Sequence, residues 1–496
     1  MSLAIVHTRA CLGVEAPPVT VEVHLSNGLP GLAIVGLPET AVKESKDRVR
    51  SALLNSHLEF PARRITVNLA PADLPKEGGR YDLAIAIGIL AASGQVPTAG
   101  LDHLEFIGEL ALSGQLRQVK GALPAALACR DAGRCLITAQ DNGAEAALAG
   151  PQQTLTADNL LRVCAHLHGR EQLPFAQLPP DLAPPTPPEL ADVRGQEHAK
   201  RALEIAASGG HNLLMYGPPG TGKTMLASRL PGILPPIETR DAMAIAAVYS
   251  VSGNQAPAWR QRPFRAPHHT ASAPALVGGG SNPRPGEISL AHGGVLFLDE
   301  LPEFQRQVLE VLREPMESGE VRIARARAQT CYPARFQLIA AMNPCPCGYF
   351  GDNDGRCRCT PDQVQRYRGK ISGPLLDRID LHVPVTAVLP TELHKAPAGE
   401  PSKTVQQRVK QARQRALARQ GKSNSELAAQ DIQQHCQLSE SDEAFLAGAV
   451  EKLKLSTRAY HRVLKVARTL ADMAACDTIG RNQLAEALSF RGLDRG

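Results

Sequence analysis

Gly217-Pro218-Pro219-Gly220-Thr221-Gly222-Lys223-Thr224 decides the fold of this chain. The stretch fits the phosphate-binding pattern G-x-x-x-x-G-K-[ST], whose glycines let backbone N–H groups turn inward around phosphate oxygens. Its flanks fit as well. Asn212–Tyr216 is a short apolar strand and Met225–Leu230 begins a helix. The loop therefore runs into a helix N-terminus, where the dipole favours an anion. Lys223 is expected to reach the β- and γ-phosphates of ATP, and Thr224 to hold Mg2+. Gly217 to Thr224 are the expected nucleotide-binding residues.

Two further apolar runs extend the site. Val295-Leu-Phe-Leu-Asp299-Glu300 reads as a strand buried on both faces of a parallel sheet. Its acids stand at the carboxyl end, where ligands bind in open α/β sheets. Asp299 is expected to support Mg2+ through its water. Glu300 is expected to orient and polarise the attacking water, which means a hydrolase rather than a passive binder. The alternative is a surface Asp-Glu after an ordinary strand, which the loop upstream disfavours. Phe336–Met342 reads as a third strand, and Asn343 at its end can touch the γ-phosphate or position the water.

Working outward, 496 residues allow two to four domains at roughly 100–200 residues each. A composition 43% hydrophobic and 21% charged is that of a globular protein and excludes disordered and fibrous classes. The net charge of +5 is uneven: residues 1–188 hold 15 Lys+Arg against 18 Asp+Glu, and residues 189–496 hold 39 against 31. The basic surplus lies with the phosphate loop. Eleven cysteines, an odd and unevenly spaced set, argue against a secreted disulfide framework. Met1–Arg9 has no signal-peptide pattern, and the apolar stretch within Leu83–Leu101 is too short to span a bilayer. A cytoplasmic protein with no membrane partner is expected.

Prolines 174, 179, 180, 184, 185, 187 and 188 mark residues 173–190 as an extended linker. It divides a domain at 1–172 from a nucleotide-binding core at 191–388. Residues 389–496 follow as a helical lid. In the first domain, Val19–Leu25 and Ile65–Leu69 alternate with period two, while Val42–Leu54 and Asp82–Ala92 read as helices, which predicts α/β structure. From Ser402 onward, Val405, Val409, Ala412 and Ala416 fall on one helix face. Lys403, Arg408, Lys410, Arg413, Arg415 and Arg419 accompany them with no acid, which suggests a solvated basic face ahead of a dedicated contact. Glu440–Lys452, Arg458–Ala474 and Asn482–Leu488 complete the lid as helices.

Cys345-x-Cys347 and Cys357-x-Cys359 present four thiols around a Gly/Asp/Asn-rich turn. Four thiolates suit tetrahedral Zn2+ and leave no open position, so the expected ion is structural rather than catalytic. Reduced, unliganded cysteines are the alternative. Glu320–Phe336 reads as a hairpin carrying Arg322, with Arg325 and Arg327 near its tip. Such a hairpin resembles the one that AAA+ helicases point into the ring pore, and the resemblance implies that the three guanidinium groups grip DNA phosphates without reading sequence, against the alternative of solvated charge. His268 and His269 form no metal pattern and receive no role.

These residues resemble the AAA+ ATPases, and the resemblance implies further roles. Asn343 matches the sensor-1 position. Leu375–Asp380 resembles the segment that carries an arginine finger in the magnesium-chelatase branch, so Arg378 is implied to act on a neighbouring subunit's nucleotide. Ser456-Thr-Arg458 resembles the sensor-2 segment, with Arg462 the lesser candidate. Pro75-Lys-Glu-Gly-Gly79-Arg80 and Gly108–Gly121 resemble the active-site segments of Lon proteases. Arg80 stands in the serine's place and Leu123 in the lysine's, so the Ser-Lys dyad is missing and no peptidase activity is expected. Along essentially its full length the chain resembles the ComM/YifB family, through Phe264–Ser272, Gly286–His292 and Ala341–Gly348. The resemblance implies a Lon-protease-like α/β domain, then an AAA+ P-loop core with a parallel sheet, then a C-terminal helical lid. It implies a hexameric DNA branch-migration helicase in natural transformation, acting on branched or single-stranded DNA beside a recombinase. A chelatase-type remodelling subunit with a protein partner is the second reading.

Overall fold

Alternating burial builds the first sheet. In β2 (Pro18–Ser26), Val19, Val21, Val23 and Leu25 turn inward while their neighbours face outward. The computed structural model describes residues 3–36, 40–178, 186–280, 283–325, 328–351, 355–387, 399–453 and 455–495. Around β2 stand β1 (Leu3–Arg9), β3 (Gly31–Val35), β4 (Arg64–Ala70), β5 (Leu104–Phe106), β6 (Cys135–Ala139) and β7 (Thr154–Ala157). They form a seven-stranded sheet in the order β3-β4-β2-β1-β5-β6-β7. β2 runs antiparallel to β1 and β4, and the other pairings are parallel. Helices α1 (Ser45–Asn55), α2 (Asp82–Ala92), α3 (Ala122–Asp131) and α4 (Leu160–Leu167) join it. Every residue of α2 is buried, as its charge-light run Leu83–Ala92 requires.

The second sheet is wholly parallel. Its strands are β8 (Leu213–Tyr216), β9 (Phe264–Arg265), β10 (Val295–Leu298), β13 (Gln337–Met342) and β14 (Leu381–Pro384), in the order β9-β10-β13-β8-β14. All of β10 and β13 is buried, the pattern of strands covered on both faces. Helices α5 (Glu197–Gly209), α6 (Lys223–Ile233) and α7 (Thr239–Ser252) belong to this module. β8 has later strands on both sides, so a crevice opens beyond its carboxyl end. Between β10 and β13, β11 (Glu320–Arg325) and β12 (Ala328–Pro333) pair as the expected hairpin, with Arg322 opposite Cys331 and Arg325 opposite Ala328. Arg327 and the side chain of Arg325 lie outside the described residues.

After α8 (Pro361–Arg368), the helical lid comprises α9 (Ser402–Gln420), α10 (Ala429–His435), α11 (Glu440–Leu453), α12 (Thr457–Met473) and α13 (Arg481–Ser489). Val405, Val409, Ala412 and Ala416 of α9 are buried together, as the heptad-like spacing predicts. Lys403, Arg408, Lys410 and Arg415 are exposed, as a solvated basic face predicts, but three of the arginines also reach partners within the fold. Arg408 pairs with Glu204 of α5 at 2.6 Å, Arg419 with Asp472 of α12 at 2.5 Å, and Arg415 donates to the Asp472 carbonyl at 2.7 Å. Glu204 and Asp472 come from elsewhere in the chain, whereas Glu400, which also accepts from Arg408 at 2.7 Å, stands just before the helix. One apolar cluster runs from α5 and α6 through the sheet into the lid.

The expected linker has two anchored ends: Leu173 is buried in the first core and Leu190 in the second. Residues 179–185 lie outside the described residues, as do 388–398 at the expected start of the lid. The two α/β units also touch directly. The Gly121 N–H donates to the Ser250 carbonyl of α7 at 2.9 Å, and the Leu123 N–H to the Ser250 hydroxyl at 3.3 Å.

Candidate nucleotide site

The loop 217–222 leaves β8 at its carboxyl end and enters α6 at Lys223. Gly222 is the N-cap residue with φ +85°, a left-handed conformation that a side chain would strain. Lys223 is buried, and its Nζ donates to the Gly217 and Pro218 carbonyls at 2.8 Å each and to Asn343 Oδ1 at 3.3 Å. All three acceptors are neutral, so an incoming phosphate is the stronger partner. Burial holds the Lys223 ammonium below its usual pKa, while Asp299 and Glu300 pull it back up.

Asp299 and Asn343 close the site because β10 and β13 are in-register neighbours beside β8. The Thr224 hydroxyl donates to Asp299 Oδ2 at 2.7 Å, and the Glu300 N–H donates to Asp299 Oδ1 at 2.9 Å. A hydroxyl and a carboxylate at this place are the hard oxygen donors that Mg2+ takes. Glu300 itself has φ +51°. A left-handed non-glycine residue carries on the order of 1–2 kcal/mol of strain, of the kind that gathers at functional sites.

His269, given no role from the sequence, is the missed member of this group. Its Nδ1 lies 3.1 Å from Glu300 Oε2, and its ring sits against His268 (centroids 4.1 Å apart) and edge-on to Phe304. No local sequence signal marks it; the strand pairing does. β9 pairs in parallel with β10, with Arg265 opposite Leu296, so the chain beyond β9 runs beside the chain beyond β10.

The four cysteines come together as expected. Their sulfurs lie within 4.8 Å of one another, with Cys345–Cys347 at 3.3 Å, Cys347–Cys357 at 3.6 Å and Cys345–Cys357 at 3.8 Å. Zn–S bonds of about 2.3 Å in a tetrahedron place sulfurs about 3.8 Å apart, so the set fits that ion. Backbone N–H groups of Tyr349 and Arg358 face the Cys347 sulfur and hold its thiol down at about 6, while the backbone contacts of Cys357 and Cys359 are outweighed by desolvation and the neighbouring sulfurs, which push those two thiols up.

The candidate arginines stand elsewhere. Arg378 precedes β14, whereas the phosphate loop follows β8, and the two strands are parallel with Leu213 opposite Leu381. A four-residue strand at about 3.3 Å per residue therefore separates Arg378 from its own loop. Its guanidinium donates to the Pro374 carbonyl at 2.7 Å and pairs with Glu317. A cavity of about 200 Å³ is lined by Glu317, Arg378, Arg458, Arg462 and Lys465, and by no residue of the phosphate loop. Arg462 is engaged within the fold, 2.8 Å from Asp380 Oδ1. Asp380 also accepts from the Asn212 N–H at 3.1 Å and faces His211 at 3.3 Å. Burial alone would raise the Asp380 carboxyl, but Arg462 and His211 outweigh it and hold it well below the usual range. In the hairpin, Arg322 is exposed and 3.3 Å from Glu320. Arg80 is buried in the first domain, with Nη1 3.3 Å from the Lys120 carbonyl, and Leu123 is buried in α3.

The chain is similar to known proteins along its length. Three family profiles match in succession: subunit ChlI of Mg-chelatase over residues 21–142, magnesium chelatase subunit ChlI over 189–393, and the ChlI C-terminal segment over 399–491. The whole chain aligns with the protein YifB of Salmonella typhimurium at 56% identity, and with YifB of Escherichia coli at 55%. It aligns with the competence protein ComM of Haemophilus influenzae at 54% identity, again over its full length. Each alignment spans 98% of the relative.

Proposed function

The chain belongs to the ComM/YifB family of magnesium-chelatase-like AAA+ ATPases, and from that premise we propose that it is an ATP-driven DNA motor working as a homo-hexamer. The observation that carries this reading is the separation of Arg378 from its own phosphate loop, on opposite ends of one parallel sheet. A ring of identical subunits lets Arg378 complete a neighbour's site, where it would stabilise charge on the transferred phosphoryl group.

Each group then has a task. Lys223 exchanges its loop carbonyls for the β- and γ-phosphates. Thr224 and Asp299 hold Mg2+, which neutralises phosphate charge when bound. Glu300 takes the proton of the attacking water, and Asn343 orients that water or the γ-phosphate. Arg458, on the same cavity as Arg378, acts with it across the subunit boundary. Arg462 is committed to Asp380, which favours Arg458 for the sensor-2 role. The four cysteines hold a structural Zn2+.

Arg322, Arg325 and Arg327 grip nucleic-acid phosphates at the ring's pore. The basic surplus of residues 189–496 supports this direction. ComM of Haemophilus influenzae is by name a competence protein. On that likeness the substrate is branched or single-stranded DNA, and the activity is branch migration extending the strand exchange of a recombinase in natural transformation. Among the described residues no helix is long and apolar enough to cross a membrane, which goes with action in the cytoplasm.

Phosphate release measured with and without forked or four-way DNA tests the reading. Stimulation by branched DNA, with strand displacement or migration, is expected. DNA-independent hydrolysis with intact multi-strand substrates removes the DNA role. In that event the chelatase profiles favour the second reading, a remodelling subunit recovered with a protein partner.

A further inference from the structure

Asn343 and Cys345 are two residues apart, so the nucleotide site and the four-thiol site are built on one stretch of chain. Asn343 leaves β13 with its amide 3.3 Å from Lys223 Nζ. Cys345, fully buried, begins the turn that carries Cys347 and Gly348. Gly348 has φ +85°, and a Cβ built on it would fall 2.8 Å from Cδ and 3.3 Å from Cγ of Pro219, inside the phosphate loop. The same Cβ would lie 3.9 Å from Asn343 Cγ. The tip of the cysteine turn thus rests on the loop and on the amide that meets Lys223.

The other side of this stretch is braced by α8. The Tyr367 hydroxyl meets the Asn343 backbone, and Arg368 Nε donates to the Pro344 carbonyl at 3.2 Å while its guanidinium covers the Phe350 ring. The sulfurs of Cys345 and Cys347 on one arm approach Cys357 on the other at 3.8 and 3.6 Å. An ion binding all four thiolates ties the two arms of the turn together, and the tie fixes the position of Gly348.

We propose that the metal held by Cys345, Cys347, Cys357 and Cys359 is a positioning element of the nucleotide site, setting Gly348 against Pro219 and Asn343 against Lys223. Metal and nucleotide then bind with positive coupling. This deepens the reading of both sites given above and rests on it. Coupling between two bound groups is reciprocal, so each must tighten the other by the same factor.

The reciprocity is the test, and it needs no turnover. A chromogenic chelator is used to strip zinc from the full-length protein, with and without a saturating non-hydrolysable ATP analogue. The analogue should weaken zinc extraction by roughly tenfold, and stripped protein that keeps its far-ultraviolet circular dichroism should bind a fluorescent analogue roughly tenfold less tightly. Gly348→Ala should keep its zinc yet lose nucleotide affinity by a similar factor. Pro219→Ala, held at saturating analogue, should keep its zinc and lose the protection. Equal zinc extraction with and without bound analogue overturns the proposal, as does undiminished analogue binding by folded, stripped protein. Wild-type protein that binds zinc but no ATP analogue would instead sink the nucleotide reading, and wild-type protein that binds analogue but no zinc would sink the metal site and this coupling with it.

Discussion

Two places in this molecule share a plan: a loop delivers a buried basic residue to the start of a helix. At the first, Lys223 opens α6 and its ammonium has three neutral acceptors that a phosphate can displace. At the second, Arg80 precedes α2 by two residues and is 6% exposed, with Nη1 on the Lys120 carbonyl. Arg80 Nε and Nη2 have no hydrogen-bond partner among the described residues. Gly121 and Leu123 beside it hydrogen-bond to Ser250 of α7. A Cβ on Gly253 would come within 2.7 Å of Lys120 Nζ. The first place faces the crevice beyond β8. The second lies in the seam between the two α/β units. Local form is alike in both, and access to a ligand separates them.

The comparison breaks most directly at Glu300. Glu300→Gln should lower phosphate release by a thousandfold or more, on the order of a full general-base contribution, while nucleotide stays bound. A rate within tenfold of wild type would remove the crevice's claim to chemistry. Arg378→Ala should cost on the order of a thousandfold if the guanidinium serves a neighbouring site. Mixing Arg378→Ala with Lys223→Ala subunits should then recover activity, because some boundaries pair an intact loop with an intact arginine. No recovery on mixing means that Arg378 does not act across a boundary.

The seam is tested by restoring a dyad. Arg80→Ser with Leu123→Lys should yield no cleavage of an unfolded protein substrate. It should also destabilise the chain by about 3 kcal/mol in denaturant titration, because an ammonium is placed in a buried apolar site. Peptidase activity in that variant would show the seam to be open.

A smaller effect should appear with pH near the base of the hairpin. His292 is buried and accepts the Arg335 N–H at 3.1 Å, and burial pushes its imidazole from 6.5 down to about 4. The unfolded imidazole is protonated below 6.5 and the folded one only below about 4. This group's share of stability is therefore full above 6.5 and declines as pH falls toward 4, by about 3 kcal/mol. Denaturation midpoints for wild type and His292→Gln should converge across that window. The smallest expected change is at His269. Losing its contact with Glu300 should alter kcat for ATP by about three- to fivefold, the worth of a half-exposed pair, with KM unchanged. A matching shift in KM would mean that His269 binds nucleotide rather than steadying Glu300.

Much of this was legible in the order of residues. The phosphate loop, the apolar strands ending in Asp299 and Asn343, and the buried face of α9 each depend on neighbours within a few positions. The four thiols are fourteen residues apart at most and also came together as spaced. His269 was not legible as a partner of Glu300, because only the parallel pairing of β9 with β10 makes them neighbours. Two ion pairs of α9 were illegible for the same reason: Glu204 and Asp472 lie about 200 residues upstream and 53 residues downstream of Arg408 and Arg419.

The sequence by itself determined which groups could bind phosphate, Mg2+ and a soft metal, since a loop, a strand end and a cysteine turn carry their chemistry locally. It also determined that Arg80 and Leu123 cannot form a Ser-Lys dyad. Only the tertiary structure decided that those two residues lie in a seam and that Arg378 faces away from its own loop. It alone set the cysteine turn against Pro219. Those are facts of strand order and domain packing, which depend on contacts between residues far apart in the chain.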